Sequence, residues 1–257
     1  MCGGFTTVLL QAATTLWQRR IMAMKWISRK TPLRSISKDG SVHVTDEFYN
    51  TWIAIAGAVI ITIGSIIMVH DTFVRQQFWH MWGYVAYGVG TVTLFAMSVL
   101  HHGIDADEKT EDLFRLLDYC AIFLMIAGTQ TAFILVLMPN KVGWITLAIE
   151  WVLCVTGIFL KTVCPRVPKA ITTAIYLIMG WMGIIVVPSL YITCGAEALG
   201  LLVAGGVIYT IGSAIFMWER PNPVPGIFGF HEIWHLFVLV AALCHFYLIY
   251  HYLLPLS

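Results

Sequence analysis

The sequence predicts an all-α membrane protein: a bundle of seven transmembrane helices with a cytoplasmic N-terminus and a C-terminus outside. Three observations carry this reading. Apolar residues make up 59% of the chain and charged residues 11%, against about 25% charged in soluble domains. The apolar residues fall into seven runs, each close to the roughly 20 residues a helix needs to cross a bilayer core. The Lys and Arg residues gather on one side of a seven-span arrangement, as the positive-inside rule requires.

The runs lie at about 50–70, 79–102, 118–138, 143–163, 170–192, 197–218 and 231–254. They are apolar all round, whereas helices of a soluble α-protein keep a polar face. The N-terminal 48 residues hold Arg19, Arg20, Lys25, Arg29, Lys30, Arg34 and Lys38. Lys109 and Arg115 follow the second run, Lys161, Arg166 and Lys169 flank the fourth–fifth link, and Arg220 follows the sixth run. Thirteen basic residues thus fall on one side, and only Arg75 and Lys141 on the other. A missed span would scramble this split, so it supports the count as well as the orientation.

Residues 1–48 form a cytoplasmic tail ahead of a membrane domain at 49–257. Phe5 to Trp17 is apolar but has no basic region before it and no small-residue cleavage pattern, which argues against a cleaved signal peptide. Thirteen residues are too few to span. The stretch reads either as an interfacial helix with a basic tether or as a poorly ordered tail. The six cysteines show no C-x-x-C spacing and read as small apolar packing residues. No basic stripe or zinc knuckle points to nucleic acid, and no internal repeat supports an inverted-repeat transporter. The expected surroundings are the lipid bilayer.

Polar residues converge at one end of the predicted bundle. His101 and His102 close the second run, Asp118 opens the third, and His231 and His235 open the seventh. Ser98 lies one turn deeper than His102 on the same helix face. Ionisable residues at such depth face the interior and pair or ligate. His231 and His235, at i and i+4, share a helix face and can grip one metal ion. Taken singly, Asp118 would be a helix cap, Ser98 a packing residue, and a lone histidine an interfacial anchor, which is the reading for His70, His80 and His251. Their convergence on one side and one depth is better explained by a mononuclear zinc site. One histidine from the second run and two from the seventh leave a fourth position for water. Asp118 would hold that water or act as a base, and Ser98 would stabilise charge or support a ligand. His245 lies too deep to reach the same ion and reads as structural. Glu150, mid-span in the fourth run, has no evident partner.

The string His231-Glu232-Ile233-Trp234-His235 also matches the H-E-x-x-H motif of zinc proteases, in which the glutamate is the general base. The metzincin continuation would place Gly and His where Val238 and Ala241 stand. Glu232 therefore reads as facing the interface, with an intramembrane metalloprotease as an outside option.

Four blocks carry a family resemblance: Ser98-Val-Leu-His101-His102, Phe114-Arg-Leu-Leu-Asp118-Tyr119, Ala127-Gly128-Thr129-Gln130-Thr131, and Pro221-Asn-Pro through Phe228-Gly-Phe-His231-Glu-Ile-Trp-His235 with His245. Across residues 50–254 the chain resembles the hemolysin III family, within the progestin and adipoQ receptor superfamily. That resemblance implies seven helices, a cytoplasmic N-terminus and a zinc ion on three histidines near the cytoplasmic face. It also implies ceramidase-like hydrolysis of a lipid amide or ester. The family's S-x-x-x-H spacing selects His102, while counting back from Asp118 selects His101 as the alternate ligand. A proline usual after G-T-x-T is Ala132 here. The expected function is a zinc-dependent lipid hydrolase of a bacterial inner membrane. A receptor or sensor with structural zinc is the alternative from another class. A lytic activity is a third, although the spans show no polar stripe to line a channel.

Overall fold

The computed structural model describes residues 25–26, 36–164 and 167–257. The expected interfacial stretch Phe5–Trp17 lies outside them. Among the described residues seven α-helices follow one another: α1 Phe48–Val74, α2 Phe78–Gly103, α3 Glu108–Leu137, α4 Lys141–Val163, α5 Lys169–Trp181, α6 Val187–Trp218 and α7 Phe230–Leu248. A 3-10 stretch, Met182–Val186, joins α5 to α6, and a π-helical turn, Ile249–Leu253, extends α7. A two-residue ladder pairs β1 Lys25–Trp26 antiparallel with β2 Ile104–Asp105. Among the described residues six helical stretches are long and apolar enough to cross a membrane, with α5, the 3-10 stretch and α6 running as one, Lys169–Trp218.

That long stretch is not straight. Gly195 sits at φ 82°, ψ −173°, a non-helical conformation inside α6 that glycine reaches without steric cost. On either side of it the chain folds back on itself. Lys169 pairs with Glu219 at 3.0 Å, Thr173 reaches Met217 at 3.4 Å, and the Trp181 indole donates to Thr210 at 3.2 Å. The break falls between the fifth and sixth expected runs.

Helix boundaries follow from local chemistry. Asn140 caps α4 by accepting from the N–H groups of Val142 and Gly143, at 2.9 and 3.1 Å, which satisfies two of the four donors a helix start leaves open. Glycines set the close approach of α2 and α3. A Cβ on Gly90 would meet the Leu124 carbonyl oxygen at 2.4 Å, and one on Gly128 would meet that of Ala86 at 2.3 Å. Small residues at a helix contact bring backbones together where lipid offers no hydrophobic drive. This contact holds the last turn of α2 beside the upper part of α3, and so brings Ser98, His101 and His102 near Asp118. The core between the helices is filled by large buried side chains, among them Tyr84, Tyr87, Phe133 and Leu190.

Residues 36–47 do not trail away from the helices. They cross the end of the bundle where α2 stops and α7 starts. The Lys38 ammonium donates to the carbonyls of His101 and Ile104 at 2.9 and 2.6 Å, capping the α2 C-terminus with a cation where the helix dipole is negative. Arg115 donates to the Lys38 carbonyl at 3.0 Å, and Ser41 donates to Glu219 at 2.7 Å. The chain ends at the other end of the bundle: Ser257 accepts from Arg75 at 2.9 Å and its hydroxyl lies 3.0 Å from that of Tyr84.

Candidate metal centre

The last turn of α2 and the first turns of α7 meet beneath the 36–47 segment. His102 is fully buried, and its Nε2 lies 3.1 Å from the Nε2 of His235. Ligand nitrogens of His102, His231 and His235 all fall within 4.8 Å of one another. Two nitrogens on a tetrahedral zinc, each about 2.0–2.1 Å from it, stand about 3.4 Å apart. The His102–His235 separation is close to that edge. Three buried imidazoles with ligand nitrogens within 4.8 Å of one another are a donor set that fits zinc, and the His102–His235 separation fits as well.

A carboxylate fixes the orientation of His102. Its Nδ1 is 2.8 Å from Oε2 of Glu47. With Nδ1–H donated to Glu47, the Nε2 lone pair faces the other two rings, the arrangement found around metal-bound histidines. Glu47 in turn accepts from the Asn50 side chain at 2.7 Å. Burial raises the Glu47 carboxyl above its ordinary range, against the opposing pull of His231.

His101 points elsewhere. Its Nε2 lies 3.2 Å from Oδ1 of Asp39, and the Tyr119 hydroxyl donates to the same oxygen at 3.1 Å. The other oxygen, Oδ2, is 3.2 Å from Nε2 of His231. Burial pushes the Asp39 carboxyl up, but the neighbouring His231 and His101 outweigh it and hold it well below the ordinary carboxylate range. Of the two candidate histidines on α2, His102 is the one grouped with both α7 residues, while His101 groups with Asp39 and His102.

Asp118 and Ser98 adjoin this cluster, lining a cavity with His235. Both are buried, and Oδ1 of Asp118 and Oγ of Ser98 have no hydrogen-bond partner among the described residues. Together with His235 they line a cavity of about 360 Å³ whose walls are otherwise mostly apolar, including Phe95, Met125, Val187 and Leu202. His245 lines the same cavity and lies 3.3 Å from the Leu202 carbonyl, apart from the three-histidine group.

Glu232 corrects one expectation. It does not face the interface but is fully buried. Its Oε2 accepts from the Gly229 N–H at 2.7 Å, and its Oε1 accepts from Asn50 at 2.9 Å and from the Thr45 hydroxyl. Both oxygens are engaged in pinning the α7 N-terminus to the segment before α1. Sequence reasoning missed Asp39 and Glu47, since residues 1–48 read as a tail, and Asn50, which read as the start of the first apolar run. The available signal was Glu47-x-x-Asn50, two polar residues one turn apart at the lip of the first apolar run. Nothing comparable marked Asp39. His70 and His251 are exposed and His80 half-buried, all outside the cluster.

Fold and site together define a polytopic helical membrane protein with a buried histidine–carboxylate centre at one end of its bundle. The family model described as haemolysin-III related matches residues 42–246. Hemolysin-3 of Bacillus cereus is 40% identical over 172 residues, covering 67% of this chain and 75% of the relative. A hemolysin-3 homolog of Bacillus subtilis is 33% identical over 174 residues, covering 68% and 78%. The human monocyte to macrophage differentiation factor is 29% identical over 176 residues, covering 65% and 68%. The chain belongs to the haemolysin-III related family, within the progestin and adipoQ receptor superfamily, and is a multi-pass integral membrane protein.

Proposed function

We propose that this protein is a zinc-dependent hydrolase acting on an amide or ester bond of a membrane lipid. The observation that carries the proposal is the meeting of three features at one point: the His102, His231 and His235 group, two buried oxygens without partners on Asp118 and Ser98, and an apolar cavity. His102, His231 and His235 would hold the ion. Zinc bound there supplies a water of pKa about 7 and a Lewis acid for a carbonyl oxygen. Asp118 would orient such a water and take its proton. Ser98 would donate a hydrogen bond to the oxygen that gains charge. The apolar walls suit an acyl chain and exclude bulk water, so that these groups act in a medium of low dielectric. Glu232 takes no part in chemistry, since both of its oxygens are committed. His101 is a neighbour of the site rather than a ligand.

Two further points support a seven-span topology with the site on the cytoplasmic side. The stretch Lys169–Trp218 holds 50 residues, about 75 Å of helix at 1.5 Å per residue, against a hydrocarbon core of about 30 Å. Its antiparallel contacts and the Gly195 break suit two crossings. Residues 36–47 and Ser257 lie at opposite ends of the bundle, which requires an odd number of crossings. The excess of Lys and Arg then favours the cytoplasm for the N-terminal end. The resemblance to bacterial hemolysin-3 proteins favours a bacterial inner membrane.

Metal analysis and lipid assays test the function together. Purified wild type is expected to carry about one zinc per chain and to release fatty acid from one member of a panel of ceramides, other N-acyl lipids and lipid esters. His231→Ala is expected to lose both. Zinc without turnover across the panel would move the protein to the receptor-like class, with zinc as a pin between α2 and α7.

A further inference from the structure

We propose that Asp39 is a fourth ligand of the metal, carried over the site by residues 36–47 acting as a lid. The inference rests on the three-histidine zinc reading above and adds a ligand to it from outside the helical bundle.

Geometry separates Asp39 from an ordinary ion-pair partner. Its two oxygens have different neighbours. Oδ1 is occupied by His101 at 3.2 Å and by the Tyr119 hydroxyl at 3.1 Å. Those contacts hold the carboxylate plane and leave Oδ2 directed at Nε2 of His231, 3.2 Å away. That separation matches the 3.1 Å between the Nε2 atoms of His102 and His235. Each is close to the length of one edge of a zinc ligand tetrahedron, about 3.4 Å. Asp39 also lies within 4.8 Å of a ring nitrogen of His102. A carboxylate so close to two of three imidazoles is placed to share their ion.

The segment that carries Asp39 is anchored on both sides of it. Lys38 holds the α2 carbonyls, Arg115 holds the Lys38 backbone, and Ser41 holds Glu219 at the end of α6. These are buried and part-buried contacts to three separate helices. They position Asp39 firmly, yet none is covalent, and the segment has no regular secondary structure of its own between residues 36 and 46. A ligand on such a segment closes the fourth position in the resting protein and exposes it when the segment lifts. The competing arrangement has His231 ligating through Nδ1 while Nε2–H donates to Asp39, which would then orient a ligand without touching the metal.

Sulfur at position 39 distinguishes the two. The full-length Asp39→Cys protein, loaded with Co(II) or Zn(II), is expected to show a thiolate-to-cobalt charge-transfer band absent from wild type. In X-ray absorption it is expected to show a scatterer at about 2.3 Å, the Zn–S distance, beside nitrogens at about 2.0–2.1 Å. Metal bound by that variant with no sulfur in its shell would overturn the proposal. Anion access is an independent readout should Asp39→Cys fold poorly. Azide added to the Co(II) protein is expected to leave the wild-type visible spectrum unchanged and to shift that of Asp39→Ala. Equal shifts in both proteins would show the fourth position already open, and the proposal would fall while the three-histidine site stood. Wild type that takes up no cobalt or zinc would remove both.

Discussion

Ionisable groups are buried in two regions of this bundle, and the two are built differently. At the end beneath residues 36–47, every buried carboxylate except that of Asp118 is held by several neighbours. Asp39 is held by His101, Tyr119 and His231, Glu47 by His102 and Asn50, and Glu232 by Thr45, Asn50 and Gly229. Mid-bundle, Glu150 on α4 is fully buried, and neither carboxylate oxygen has a partner among the described residues. Depth in the membrane alone does not mark a site. A network that satisfies most of its members and leaves selected atoms open does. In the first region Asp118 and Ser98, which carry the open atoms, line the cavity beside His235; in the second Glu150 is not among the residues that line it.

The contrast breaks most sharply at the ligands. Removing His231 or His235 takes away one of the three proposed imidazole ligands. Affinity for zinc is expected to fall well beyond the 10–100-fold typical of losing an outer partner, and zinc per chain in purified protein reads it. Retention of full zinc by both alanine variants would mean that the three-histidine group is not the site. Asp118→Asn comes next. It preserves shape and removes the base, so turnover is expected to drop by about 10²–10⁴-fold with zinc content unchanged. A loss of zinc instead would place Asp118 among the ligands.

Glu47→Gln sharpens the comparison within the network. The amide cannot accept as strongly from His102 Nδ1–H, and zinc affinity is expected to fall by about 10–100-fold, measured by chelator competition. An unchanged affinity would show that packing alone orients His102. Glu232→Gln is expected to do less to the site and more to the fold. It weakens hydrogen bonds to Thr45, Asn50 and Gly229, costing about 1–3 kcal/mol of stability, with turnover on the leading lipid substrate changed only a few-fold. A turnover loss as large as that of Asp118→Asn would restore the protease-like role for this glutamate.

These residues also show where the sequence was legible. Long apolar runs and basic links revealed the helices, because the bilayer imposes both. Helical period and common depth pointed to Ser98, the His101–His102 pair, Asp118, His231 and His235, which the structure brings to one end of the bundle, while the preference for His102 came from the family resemblance. The i,i+4 spacing places two rings on one face wherever the helix goes. Asp39 and Glu47 were not legible. They act through a tertiary fold-back of a polar segment, and a single sequence carries no period for such a contact. Glu232 was legible only in part: the failed metzincin continuation argued against catalysis, but its burial depends on Thr45 and Asn50, which approach from nearly two hundred residues away.

The mid-bundle carboxylate offers the smallest effect and the cleanest control. If partners make a site, Glu150 contributes nothing to the metal or to turnover. Replacing a buried polar group that has no partner with an apolar group of similar size removes a desolvation cost and loses no bond. Glu150→Met is therefore expected to keep zinc content and turnover at wild-type levels and to raise thermal stability by up to about 2 kcal/mol. Glu150→Gln, which keeps the polarity, is expected to show no such gain. Zinc analysis, the lipid assay and thermal unfolding in detergent read all three quantities. A fall in turnover with Glu150→Met would reveal a connection between α4 and the cavity that the hydrogen bonds do not show. It would also end the distinction drawn between the two regions, because a carboxylate outside the cluster and its cavity would then be part of the working machinery.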